Sequence, residues 1–384
     1  MIVRDQIHGD IEFSNAEMRL IRSRSFERLR YIKQLGFAEF VFPGATHNRY
    51  QHSLGVCQCV TDMYNEVVKN NPDFYREGDL ELLRLIALVH DIGHSPFSHA
   101  SEELSNISHE ERMEDIIELE KKNIILAHNY DISSTDLINQ VYNGDGFTYM
   151  SDPHLVTLHS FMDNFIDADK LDYLERDSIN CGVNYGLFDR EGLINNLTVM
   201  RDPNGKEVIG IYDTGMQAFE SFMLARYYMF SQVYMHPQER IYRYQYCDEM
   251  KNLLPDCKYP DDVKKFLALD DTKYSRRLKF LKNHKYELIY DSEYDLNIVN
   301  KINRKFGNLI LCDTPMKYIF RRDNSDSTIY VKSKLTGVVK PCSEVSPIIR
   351  GIEFTKVHKL RIYAESDIAE EMKHEVLNYL QKIS

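Results

Sequence analysis

A histidine followed directly by an aspartate, His90-Asp91, ends the apolar run Leu85-Ile86-Ala87-Leu88-Val89, and Gly93 comes just after. That order puts an imidazole and a carboxylate side by side near the C-terminal end of a buried helix, where both can reach one cation. Upstream, Arg49-Tyr50-Gln51-His52 places a second imidazole one turn beyond an arginine. Downstream, Asp167-Ala168-Asp169-Lys170-Leu171-Asp172-Tyr173 reads as helix, with Asp169, Tyr173 and Asp177 on one face. The imidazoles of His52 and His90 with the carboxylates of Asp91 and Asp169 form a mixed nitrogen–oxygen set that suits divalent Mn, Fe, Zn or Mg. Four such ligands leave positions for water and a substrate oxygen, and the ion lowers the pKa of the water and offsets phosphate charge. Each piece alone has a plainer reading: His90 as a satisfied core histidine, Asp169 as a solvated helix residue. The ordered set is much harder to assemble by chance.

Helical periodicity must carry these groups. Leu54, Cys57, Val60, Tyr64 and Val67 recur at three- and four-residue steps, as do Leu82, Leu85, Ile86 and Val89. Ser108-His109-Glu110-Glu111 reads as a capping box. Phe161, Phe165 and Ala168 are expected to begin a helix that runs to about Asp177. Leu197–Met200 and Val208–Tyr212 flank Asp202-Pro203-Asn204-Gly205-Lys206, the pattern of a β-hairpin with an Asn-Gly turn. A single long aromatic helix is expected over 216–250. Past Pro255, short strands are expected at 308–312, 328–332, 337–340 and 359–363, with a closing helix marked by Ile368, Met372, Val376, Leu380 and Ile383. The reading is mainly α: a helical domain over 1–250 with a hairpin insertion, then a smaller mixed α/β region over 251–384.

Composition sets outer limits. The 384 residues contain 43% hydrophobic residues, enough to bury a core without a disulfide or structural metal. Lys and Arg number 47 against 59 Asp and Glu, a net charge of −12, which disfavours long nucleic acid but allows one small anion in a local basic pocket. The seven cysteines are scattered and odd in number, as expected of free thiols in a reducing cytosol. No apolar signal core or membrane span is apparent, so the expected location is cytoplasmic, with no membrane partner.

At these residues the chain resembles the HD-domain phosphohydrolases, whose motif is H…HD…D. More narrowly it resembles the deoxynucleoside triphosphate triphosphohydrolases of the vertebrate sterile-alpha-motif-and-HD type and their bacterial relatives, without the sterile-alpha-motif domain. The likeness spans about residues 3–245 and includes Phe26-Glu27-Arg28-Leu29-Arg30-Tyr31-Ile32-Lys33-Gln34-Leu35-Gly36, Phe42 through Val56, His90 through His99, and Asp167 through Tyr173. It implies metal ligation by His52, His90, Asp91 and Asp169. It implies phosphate contacts from Arg49, His94, Lys170 and Arg226, a proton donor or relay in His99 backed by Glu102, and assistance from His109. Gln34 and Asp177 match positions that bond a 3′-hydroxyl, Leu35 and Tyr173 positions that leave no room for a 2′-hydroxyl, and Tyr234 a position stacked near base and sugar. The activity implied is dNTP plus water to deoxynucleoside plus triphosphate, by attack of a metal-activated water at the α-phosphorus, in a homo-oligomer, dimer or tetramer.

Bottom-up chemistry agrees, since a triphosphate needs arginine forks and a lysine point charge, and an imidazole with a carboxylate neighbour can protonate a leaving oxygen near neutral pH. Plainer readings remain beside these: Tyr173 and Tyr234 as core aromatics, Arg226 as a surface ion pair, His47 as a structural hydrogen-bonder. The family's guanine-reading activator positions align with Arg22 and Glu27, and its second activator positions with Thr198, Tyr212 and Thr214, so a GTP-dependent switch of that form is not expected. Met235 stands where a base-reading glutamine is usual. Two rival readings keep the same residues: a phosphodiesterase or nuclease acting on oligonucleotides or cyclic nucleotides, and a non-catalytic nucleotide sensor.

Overall fold

The computed structural model describes residues 1–128, 153–275, 277–278, 285–320 and 328–383. A small antiparallel hairpin, β1 (Ile2–Asp5) and β2 (Gly9–Glu12), leads into α1 (Asn15–Ile21). The helical core follows: α2 (Arg49–Asn70), α3 (Asp79–Val89), α4 (His109–His128) and α5 (Ala168–Cys181). α2 starts where Asn48 and Gln51 form a reciprocal cap, and α4 where Ser108 and Glu111 do, as the sequence predicted for the latter. α3 is apolar nearly all round, and Leu83, Leu85, Ile86, Ala87, Leu88 and Val89 are fully buried, so it runs through the centre of the core. Each of the Leu, Ile and Val side chains contributes roughly 1.5–3 kcal/mol by leaving water. Arg84, on α3, bonds Glu17 of α1 at 2.6 Å and the Glu12 carbonyl at 2.8 Å, tying the N-terminal segment to the helix that ends in His90-Asp91.

Two expectations about helices need correction. The helix predicted from Phe161 begins at Ala168, because the Asp167 side chain accepts from the Lys170 N–H and fixes the start there. The long helix predicted over 216–250 is two: α6 (Met216–Met229) and α7 (Pro237–Lys251), joined by a π-type turn over Phe230–Tyr234. Pro237 has no N–H to continue the first helix, and His236 caps the second.

The hairpin β3 (Leu197–Arg201) and β4 (Glu207–Tyr212) forms as predicted. It extends into a four-stranded sheet, because β8 (Tyr330–Lys332) pairs parallel with β4 and β9 (Val339–Pro341) pairs antiparallel with β8. A second sheet joins β5 (Tyr286–Glu293), β10 (Lys356–Glu365) and β6 (Ile310–Asp313), with β7 (Met316–Tyr318) paired to the start of β10. α8 (Leu296–Phe306) and α9 (Ala369–Ile383) supply apolar side chains packed with that sheet, Ile302, Phe306, Val376 and Leu380 among them. Ile319, Phe320, Ile329 and Val331 belong to the main core, so residues past 250 pack directly on the helical part. All seven cysteines are free. No helix among the described residues is long and apolar enough to cross a membrane.

Candidate active site

Three helix ends converge. His52 lies in the first turn of α2, His90-Asp91 follows α3, and Asp169 opens α5. His52 Nε2 lies 2.9 Å from an Asp169 oxygen, 3.6 Å from Asp91 and 3.4 Å from His90 Nε2, and His90 Nε2 lies 3.5 Å from Asp91. Two imidazole nitrogens facing each other between two carboxylates are the donors a divalent cation takes, so the residues fit the group predicted for them. Both rings are aimed by their other nitrogen. His90 Nδ1 meets the Ala87 carbonyl at 2.7 Å, and His52 Nδ1 meets Asp172 at 2.7 Å.

Asp172, which the sequence reading passed over as a ligand or support, is fully buried. It also bonds His8 Nε2 at 2.7 Å and takes both Arg176 N–H groups at 2.8 Å. Burial alone would raise its carboxyl; Arg176 and the two imidazoles overturn that and hold it well below the ordinary range. Burial lowers His52, but Asp169 and Asp172 outweigh it and lift the ring to about 10 in the absence of a cation. The close approach of α2 and α5 depends on Gly55, since a Cβ there would stand 2.0 Å from an Asp172 oxygen. His8, Cys59 and Asp172 form a second cluster with metal-ligand spacing. Arg190 meets the other ring nitrogen, His8 Nδ1, at 2.5 Å and Arg176 pairs with Asp172 at 2.8 Å, so two guanidiniums already bring positive charge to this cluster.

Asp91 also accepts from Arg49 at 2.6 Å, and after burial, which raises it, Arg49 is the main cause of a carboxyl held well below its usual value. Arg49 Nε reaches Ser98 Oγ at 2.7 Å, and Ser98 reaches the Lys33 carbonyl. Phe97 and Ser98 adopt left-handed backbone, with φ of 60° and 53°, an arrangement that costs energy and recurs where a loop is held for function. Asp271 holds this loop: its carboxylate accepts from the N–H of Phe97 at 2.6 Å and of Lys33 at 2.9 Å. Nothing in the sequence pointed to Asp271, since its partners are backbone amides about 174 and 238 residues away.

His94, His99 and His109 gather on this loop's open side, with ring centroids 4.0 Å apart for His94–His109 and 5.0 Å for His94–His99. Burial, then Arg49 and His109, push His94 far below its usual value, so the ring is neutral. Its Nδ1 lies 3.2 Å from an Asp91 oxygen, and neither ring nitrogen makes a hydrogen bond of good geometry among the described residues. His99 Nδ1 bonds Glu102 at 2.5 Å, as the sequence predicted, and both side chains are exposed.

A cavity of about 580 Å³ adjoins the cluster, lined by Gln34, Leu35, Arg49, His99, Glu102, Asp169, Lys170, Tyr173, Asp177, Arg226 and Tyr234, all predicted site residues. Asp177 accepts from Tyr234 Oη at 2.8 Å and pairs with His47 Nε2 at 2.7 Å, so His47 has the structural role expected of it. Arg226 donates to Tyr173 Oη at 2.7 Å and to the Ile319 carbonyl at 3.0 Å; it is no surface ion pair. Gln34 Oε1 is buried without a partner among the described residues. Arg240, Arg243, Met316 and Lys317 also line the cavity, and the sequence reading had assigned them nothing.

Comparison with known proteins agrees with this geometry. The HD domain model matches residues 49–166, and the HD associated region model matches 188–291. The uncharacterized protein MJ1154 of Methanocaldococcus jannaschii is 30% identical over 402 residues, covering 97% of this chain and 81% of that protein. The Dictyostelium discoideum homolog of deoxynucleoside triphosphate triphosphohydrolase SAMHD1 is 28% identical over 82% of this chain, which spans 61% of that protein. Among solved structures, a hypothetical protein from Aquifex aeolicus superposes with a TM-score of 0.82 at 28% identity, covering 98% of this chain and 99% of that one.

Proposed function

The chain belongs to the HD-domain phosphohydrolases related to SAMHD1-like proteins, and on that premise we propose that it hydrolyses deoxynucleoside triphosphates to deoxynucleoside and triphosphate. The observation that carries this is one cavity lined by Asp169 and Arg49, which touch His52 and Asp91 of the metal-ligand cluster, by the cations Lys170 and Arg226, and by the sugar-sized surface of Gln34, Leu35 and Tyr173. A divalent cation held by the four ligands would supply Lewis acidity, activating water and offsetting phosphate charge. Arg49, Lys170 and Arg226 hold the phosphates, and neutral His94 donates its ring N–H to a phosphate oxygen. Water adds to the α-phosphorus, the bond from phosphorus to the nucleoside 5′-oxygen breaks, and His99, with Glu102 behind it, gives that oxygen a proton. Asp177 accepts from the 3′-hydroxyl and the Gln34 amide donates to its oxygen, and Leu35 with Tyr173 closes the space a 2′-hydroxyl needs. The chain would work as a homo-oligomer, and Mn²⁺ is the first ion to supply. Incubating the purified chain with each dNTP and Mn²⁺ should give deoxynucleoside and triphosphate by ion-exchange chromatography. Appearance of dNDP or dNMP instead, or hydrolysis only of oligonucleotides or cyclic dinucleotides, would reject the assignment.

A further inference from the structure

We infer that Lys317, on β7 and outside every motif in the sequence, is a polyphosphate ligand that completes the anion-binding wall of this cavity beside Arg226. The inference rests on the cavity being a nucleotide site and adds a ligand from the C-terminal region.

A count of cations around the cavity carries it. Arg49 is paired with Asp91 at 2.6 Å, and Lys170 forms a close ion pair with Asp167. Arg240 is paired with Asp313 at 2.5 Å, and Arg243 lies 3.6 Å from Glu239. Of the cavity's Lys and Arg side chains, only Arg226 and Lys317 form no close ion pair among the described residues; the carboxylate that acts on Lys317 is Glu102, at longer range. The Lys317 ammonium instead stands 5.4 Å over the Phe230 ring, while the Arg226 guanidinium lies 5.0 Å over the same ring. The two cations therefore share one aromatic platform facing the cavity. Burial first, then Arg226 and Lys170, push the Lys317 amine below its ordinary value, and Glu102 offsets them only in part. Like charges gathered this way are unfavourable until an anion joins them.

The backbone is fixed as well. Lys317 pairs with Val357 of β10, and two residues further on the Ile319 carbonyl accepts from Arg226 Nε. β7 thus supplies the lysine, and the residue just past it aims the arginine. A chain of three phosphates, carrying three to four negative charges, matches a wall of two unpaired cations next to the metal ligands.

The plainer alternative is a lysine whose stem merely covers Phe230. Lys317→Met keeps the stem and removes the charge; Lys317→Arg keeps both. Titration calorimetry of inorganic tripolyphosphate into the full-length chain reads binding without turnover, and steady-state kinetics with dNTP reads KM. Lys317→Met should weaken tripolyphosphate about tenfold, the value of one charge-assisted contact, with KM rising more than kcat falls, and Lys317→Arg should stay within about threefold of wild type. Tripolyphosphate binding equal in Lys317→Met and wild type would overturn the inference, whatever the chain hydrolyses. If wild type leaves every dNTP intact but still loses tripolyphosphate affinity in Lys317→Met, the dNTP reading fails and the anion wall stands.

Discussion

Asp169→Ala should abolish hydrolysis, with kcat/KM falling by about 10³-fold or more, because a catalytic divalent ion contributes several kcal/mol of charge stabilisation and each 1.36 kcal/mol is tenfold. The position isolates the chemistry from the fold. Asp169 stands in the first turn of α5, its side chain is 34% exposed to the cavity, and its oxygen is 2.9 Å from His52 Nε2. Removing it leaves α5 capped by Asp167 and the core helices packed. The variant should therefore melt close to wild type while binding less metal, measured by elemental analysis after gel filtration. A variant that keeps full turnover would move the reaction away from this cluster.

Asp172→Asn should weaken metal affinity by about 10- to 100-fold, the usual cost of losing a support behind a ligand. Asp172 touches no substrate-facing surface; it acts through His52, holding Nδ1 so that Nε2 faces Asp169 and His90. The exchange also leaves Arg176 and His8 beside a neutral amide, and breaking a buried pair costs roughly 3–5 kcal/mol, so part of the protein can unfold. His8→Asn is the control, because it perturbs the same carboxylate from the far side without touching a metal ligand. It should lose less affinity than Asp172→Asn, with affinity in both taken per folded molecule, the folded fraction being read from helical circular dichroism. Metal affinity unchanged in a folded Asp172→Asn would leave that residue a purely structural role.

The cluster was legible in the sequence because an imidazole–carboxylate pair closes the apolar run of α3 and the other two ligands fall in motifs that match the family, whereas the caps Asn48 and Asp167 that fix the starts of α2 and α5 went unread. The hairpin at 197–212 was legible from its Asn-Gly turn, although its extension by β8 and β9 was not, since parallel pairing across about 120 residues leaves no local trace. The break between α6 and α7 was signalled by Pro237, but the aromatic periodicity on both sides masked it. Asp172, Asp271 and Lys317 escaped for one shared reason. Each works through a partner distant in sequence: His8, the Phe97 and Lys33 amides, and the cavity around Arg226. Side-chain type alone assigns them to solvated surface or ordinary core. Tertiary contact gives them their roles.

Anomalous scattering from crystals of the full chain grown with Mn²⁺ tests the central claim most directly. The account predicts one strong peak enclosed by His52 Nε2, His90 Nε2 and the carboxylates of Asp91 and Asp169, at the floor of the cavity that Tyr173 and Arg226 line. A peak at His8, Cys59 and Asp172 instead, or no peak between the four ligands at saturating Mn²⁺, would contradict it.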